Sequence, residues 1–318
     1  MWHPHWAPWK NIGFSQFRSS QCHVGSNRQV KGCVPKKAPW ALGTILDSKL
    51  LSFKWQEAVS DIFFASTQSD PSTTRKESFT TMSEVKVNQL DKLSQFFFCK
   101  RRFTDPIATN GALLEGFMFA IGWRKCSTKN EQFGLYGSLG KIENKKDEWQ
   151  NQGANISLVG FILGQSLRYV ADNLFEKILN CYKSLGVPSF DQFNYEADIP
   201  AIQGAFEFPS TLTFTMNGFK NAPHFDKDAL LYALGWWFPG DKRTGQIQRD
   251  ASKWCTGGKL IFPNEHLWID LFECHGLIQV VWASSTFVHY TDPAQDNEST
   301  TLVGMSTQCS RRLAKTIC

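Results

Sequence analysis

The sequence predicts an α+β protein in which a mainly helical half packs against an antiparallel β-sandwich or jelly roll. Two observations predict it. Between 158 and 182, Leu158, Ile162, Leu167, Val170, Leu174, Ile178 and Tyr182 recur at the spacing of one helix face. From 207 onward the pattern changes to short β runs separated by Gly, Pro, Asn and Asp clusters, with no helix-length pattern between them.

Taken in chain order, residues 1 to 83 read as a poorly patterned basic extension, partly disordered, that mixes Trp, Ser, Lys and Pro and ends in a polar run. Within it only "LLSFKWQEAVSDIFFA" (50 to 65) has helical potential. Residues 84 to 206 form the helical support, mainly helical to about 188, where Gly186, Val187 and Pro188 supply a helix stop. The β core, 207 to 318, begins with "TLTFTM" (211 to 216), which alternates, and "LLYALGWWF" (230 to 238), closed by Pro239-Gly240. "KLIF" (259 to 262), "LWIDLF" (267 to 272), "LIQVVWA" (277 to 283), "TFVHY" (286 to 290) and "TLVGMSTQ" (301 to 308) complete the set of strands.

Composition narrows the class. The most apolar run, "GALLEGFMFAIGW" (111 to 123), is too short to span a membrane and contains Glu115. No secretory signal is evident in "MWHPHWAPWK". Nine scattered cysteines without a C-x-x-C pair argue against a disulfide framework or a zinc knuckle, and point to a reducing intracellular compartment. The formal charge is +5, but residues 1 to 83 hold 10 basic against 5 acidic residues, and 84 to 318 hold 24 of each. Composition therefore gives the folded region no nucleic-acid footprint.

Chemistry centres on "NAPHFDKD" (221 to 228). His224 and Asp226 are two apart, so on an extended chain both side chains point to one side. His289, in a later strand, is the leading third ligand. Two histidines and one carboxylate leave three positions of an octahedron open, the arrangement of non-haem Fe(II) oxygenases. The same residues also suit a plainer role, with His224 and Asp226 capping a turn, Asp228 bonding the loop and His289 packed on a half-buried strand. His266 and His275 flank a strand and read as surface or packing residues, and His3 and His5 belong to the extension.

The strings "LTFTMNGFKNAPHFDKDALLYALGWWFP", "TGGKLIFPNEH", "VVWASSTFVHYTDP" and "VGMSTQ", with "DPIATNG" and "AIGWRK" upstream, closely resemble the fungal Tet-like 2-oxoglutarate/Fe(II) oxygenases, relatives of the TET/JBP dioxygenases. The likeness runs in consistent order over 84 to 318. It implies a double-stranded β-helix core with iron held by His224, Asp226 and His289, and 2-oxoglutarate and O2 as co-substrates. The chemistry it implies is oxidation of a methyl group on a nucleobase such as 5-methylcytosine, with succinate and CO2 formed. A nucleic-acid substrate would place the protein in the nucleus.

One position departs from that pattern. The resemblance leads one to expect an Arg for the far carboxylate of 2-oxoglutarate two residues before Gly304, where Leu302 stands. Arg suits the task because its planar fork binds a carboxylate through two hydrogen bonds. Substitute cations are Lys259, Arg311 and Arg312, although "SRRLAK" also reads as an exposed basic tail. Asn217 and Asn221 are candidates to support the ligands from behind. Leu302 also opens a different reading, an impaired oxygenase fold that serves as a binding module. The neutral 84 to 318 region leaves protein or small-molecule substrates open as well.

Overall fold

In a computed structural model, residues 74–107, 115–125, 133–190, 209–272 and 275–317 are described. The helical reading of 50–65 and the histidines His3 and His5 lie outside these residues, as does most of "DPIATNG".

Seven strands form the larger antiparallel sheet, in the order β1 (Thr74–Ser78), β8 (Gly276–Trp282), β5 (Ala233–Asp241), β10 (Thr300–Gln308), β4 (Thr211–Lys220), β2 (Glu115–Lys125) and β3 (Phe133–Leu135). The smaller sheet has the order β7 (Leu267–Asp270), β6 (Thr256–Phe262) and β9 (Tyr290–Gln295). The chain moves between the sheets repeatedly: β5 lies in the large one, β6 and β7 in the small one, β8 in the large, β9 in the small and β10 in the large. This is the jelly roll the β runs predict, with helices packed against it. Among the described residues no helix is long and apolar enough to cross a membrane.

Strand alternation builds two cores. On β4, Leu212, Phe214 and Met216 are fully buried on the helical side. On β10, Val303 and Met305 join that core, while Leu302 faces the other way into the apolar layer with Trp237, Leu260 and Trp282. Helix α1 (Glu84–Lys100) starts at Ser83, whose side chain accepts from the Lys86 N–H, and carries Glu84 in its first turn. Its Phe97 stacks on Phe214 at 5.0 Å, and Phe119 of β2 stacks on the same ring at 5.2 Å. These rings clamp β4, the strand that leads to His224.

Several expectations are corrected. The folded region begins before 84, because Thr74–Ser78 pairs with β8 as an edge strand. "AIGWRK" is not helical: it belongs to β2, which pairs with β4. Ala120, Ile121 and Trp123 are buried on both faces of that strand, which erases the alternation by which a strand is read. The long helix is two, α3 (Lys146–Val170) and α4 (Asp172–Leu185), after the short α2 (Leu139–Glu143). Ala171 breaks it at φ −154°, ψ 73°. A straight helix over the same span would run about 60 Å, far past the roughly 34 Å of a ten-residue strand. The break lets Leu174, Phe175, Ile178 and Tyr182 stay on the core.

Gly186 stops α4 as expected, at φ 61°, with the Val187 N–H returning to Tyr182 O. Pro239 and Gly240 do not close their strand but lie within β5, opposite Leu302 and Thr301. "SRRLAK" is not a loose tail: Arg311–Ile317 form helix α5, anchored by buried Leu313 and Ala314.

Candidate metal centre

The "TFVHY" strand starts later than its pattern suggests, at Tyr290, and His289 precedes it in an isolated antiparallel bridge with His224. Each of these histidines donates its N–H to the other's carbonyl, at 3.1 and 3.0 Å. Such a reciprocal pair places both side chains on one face, and the ring centroids are 4.6 Å apart. Asp226 is fixed against the same loop by its N–H, which bonds Ser284 O at 3.0 Å. The ligand-type atoms of His224, Asp226 and His289 all lie within 4.8 Å of one another.

Local hydrogen bonds orient the donors. His224 Nδ1 lies 2.9 Å from Ala222 O, and His289 Nδ1 lies 3.0 Å from Phe287 O. A carbonyl accepts only from N–H, so each Nδ1 carries the proton and each Nε2 keeps its lone pair. The two Nε2 atoms point at the carboxylate, at 3.5 Å for His224 and 3.8 Å for His289. Backbone carbonyls behind the rings therefore act as the outer partners that metal-binding imidazoles use.

Burial divides the cluster. His289 is 5% exposed, with Trp282 edge-on at 5.5 Å and Phe262 at 6.4 Å, whereas His224 is half-exposed. Burial pushes the His289 imidazole down, favouring the neutral form that ligates. His224 moves up: burial is the largest influence and opposes the charge, but the hydrogen bonds of the protonated ring to Asp226 and Ala222 O, with the Asp226 charge, together outweigh it. Burial also opposes the Asp226 charge, yet the His224 hydrogen bond and the His289 imidazole hold its carboxyl below the usual range. Asp228 is buried differently. Desolvation, then the Asp226 charge, push it up to about 7.

Of the two asparagines, Asn221 supports the cluster. Its Oδ1 accepts from the Thr291 N–H at 2.7 Å, tying the residues before His224 to those after His289. Asn217 does not: it sits in a bulge at φ 62° and lines a cleft of about 460 Å³ with Gly116, Lys242 and Asp296.

The expected cations are not gathered around Leu302. Lys259 alternates with the buried Gly258, Leu260 and Phe262, so it points off the opposite face of β6, where its Nζ lies 5.5 Å from the exposed Trp268 ring. Arg312 lies on the exposed side of α5. Arg311 is tied to the ligand-bearing segment, its Nε donating to Asp228 O at 2.6 Å. In the loop after β5, Trp254 donates to Gln248 O and packs on Phe79 and His275.

Residues the sequence did not single out include Ser284, Trp282 and Phe262. They lie within the family-like strings but carry no ligand-type pattern of their own, and only the folded chain makes them neighbours of His289 and Asp226.

Two imidazoles and one carboxylate converging in a jelly roll define the class of non-haem iron oxygenases, and the nitrogen and oxygen donors with both Nε2 atoms exposed to one point fit Fe(II). A family model described as the Tet-like 2OG-Fe(II) oxygenase superfamily matches residues 83–294, and the chain belongs to that family. Its cofactors are Fe(II) and 2-oxoglutarate.

Among solved structures, NgTET1 in complex with 5mC DNA is 9% identical, with TM-score 0.42, covering 85% of this chain and 93% of that one. A Pseudomonas putida prolyl-4-hydroxylase is 11% identical, with TM-score 0.32, covering 75% and 93%. A prolyl hydroxylase from Trichoplax adhaerens, in complex with a hypoxia inducible factor peptide fragment, is 10% identical, with TM-score 0.33, covering 85% and 97%. No curated protein matches the sequence.

Proposed function

We propose that the chain is a 2-oxoglutarate- and Fe(II)-dependent dioxygenase that oxidises a methyl group on a nucleobase, such as 5-methylcytosine, in nucleic acid. The convergence of His224, Asp226 and His289 within 4.8 Å, in a chain of the Tet-like family, carries this reading. In it these three residues hold the iron. When bound, Fe(II) supplies the family's oxidising chemistry, in which O2 is divided between a substrate C–H bond and 2-oxoglutarate, which leaves as succinate and CO2.

The protein's own part is positioning and exclusion. Trp282 and Phe262 wall His289 from water, Asn221 and the His224–His289 bridge hold the ring positions, and half-exposed His224 marks the side from which substrate enters. Phe225, between two ligands, is 50% exposed on backbone held by both neighbours' hydrogen bonds. A rigid aromatic face beside the metal suits stacking of a base. For the far carboxylate of 2-oxoglutarate, Arg311 is the cation this reading assigns, since it stands beside the ligand-bearing segment.

Purified full-length protein with Fe(II) and 2-oxoglutarate should form succinate in proportion to oxidised base on methylated DNA or RNA. No succinate on any methylated nucleic acid would overturn the reading.

A second reading rests on Leu302, 6% exposed within the apolar layer between the sheets. It makes the protein a metal-holding oxygenase fold that binds without turnover. Metal binding with no detectable 2-oxoglutarate binding in calorimetry would favour it. Turnover on a peptide or small molecule instead would keep the oxygenase and change the substrate.

A further inference from the structure

One ammonium group is sealed in an aromatic layer away from the metal centre. Lys100, the last residue of α1, is 1% exposed, and its Nζ makes no hydrogen bond. No ion pair to it is found among the described residues. The ammonium lies 3.7 Å from the Trp149 ring centroid and 5.5 Å from that of Phe96. Cation–π attraction thus covers one side of the charge.

A cavity of about 20 Å³ adjoins it, lined by Phe96, Ile121, Leu135, Tyr136, Trp149 and Phe190 as well as Lys100. That volume admits one small particle. Burial pushes the Lys100 amine down to about 8, which still leaves most of it charged at neutral pH. A buried unpaired charge is costly, and hydrogen bonding alone does not offset it.

We propose that this cavity is a halide site in which a single chloride ion is held by the Lys100 ammonium. Among the described residues the wall holds no carboxylate, and the countercharge in this proposal comes from solution. The space limits it to a monatomic anion, because sulfate and phosphate are larger and bring a second charge. Water would satisfy an N–H donor but leave the charge unpaired. Chloride supplies acceptor and countercharge together.

The test is thermal unfolding of the full chain at constant ionic strength in sodium gluconate, chloride, bromide and sulfate. Chloride and bromide should raise Tm saturably, by about 3 °C at ten times the dissociation constant, while sulfate should not. Lys100→Met, which keeps an unbranched apolar stem, should abolish the halide response. Equal Tm values in all four salts would reduce the cavity to a water site, and an unchanged response in the variant would place the halide elsewhere. Should the variant fail to fold, bromide-soaked crystals of the unaltered protein decide. An anomalous peak beside Lys100 Nζ is expected, and its absence overturns the proposal.

Discussion

His224 and His289, 65 positions apart in sequence, exchange both backbone hydrogen bonds in one antiparallel bridge. That pairing aligns the two imidazoles, and the carbonyls of Ala222 and Phe287 then set their tautomers. Backbone pairing and these two carbonyls thus bring the ligand-type atoms of His224, Asp226 and His289 within 4.8 Å of one another.

Asp226→Ala should therefore lower affinity for Fe(II), or for Mn(II) as an air-stable probe, by at least about 100-fold. Anaerobic calorimetry measures it. His224→Ala should act similarly. Retained affinity in both variants would remove these residues from the site.

Asn221→Ala should leave the fold intact while weakening metal binding about tenfold. The Thr291 N–H loses its acceptor, at a stability cost of about 1 kcal/mol. Denaturant unfolding and metal titration on the same sample separate the two effects.

Arg311→Gln should raise the 2-oxoglutarate concentration needed for half-maximal succinate formation by about tenfold, ~1.4 kcal/mol, without changing metal affinity. Lys259→Gln, on the outer face, should have no such effect. A reversed result would return Lys259 to the site.

Asp228 gives the stability a pH signature. Its folded value, about 7, lies above the ordinary carboxyl value of 3.8, so the folded state holds the extra proton between them. The stability this contributes is fully present below about pH 4 and lost as pH rises toward 7, at on the order of 1 kcal/mol per pH unit. Asp228→Asn should flatten that part of the profile, measured by denaturant midpoint from pH 4 to 8.

Phe225→Ala should raise KM for methylated nucleic acid several-fold, with metal affinity unchanged. Stacking contributes about 1–3 kcal/mol per base. Unaltered KM would remove Phe225 from substrate contact.

The strands after 207 were legible because their exposed and buried positions alternate, or because turn residues bracket them. The α4 stop at Gly186 was legible for an equally local reason, the left-handed backbone that glycine tolerates. β2 was not, since burial on both faces gives Ala120, Ile121 and Trp123 no polar alternation. The break at Ala171 was hidden too: periodicity reports which face is apolar, not how long a helix the core can cover.

For the site, residue order and spacing already marked His224, Asp226 and His289, because i and i+2 on an extended chain share a side whatever surrounds them. Leu302 was also visible as a departure from the family pattern. Which cations stand near the cluster belongs to the tertiary structure alone. Lys259 is turned outward by the pleat of β6, and Arg311 is brought to Asp228 O only because α5 folds back on the core. The same holds for Lys100, an ordinary helix-end lysine in sequence. Its isolation arises only when Trp149 of α3 closes over it beside Phe96 of its own helix, since desolvation here depends on a neighbour that is distant in the chain.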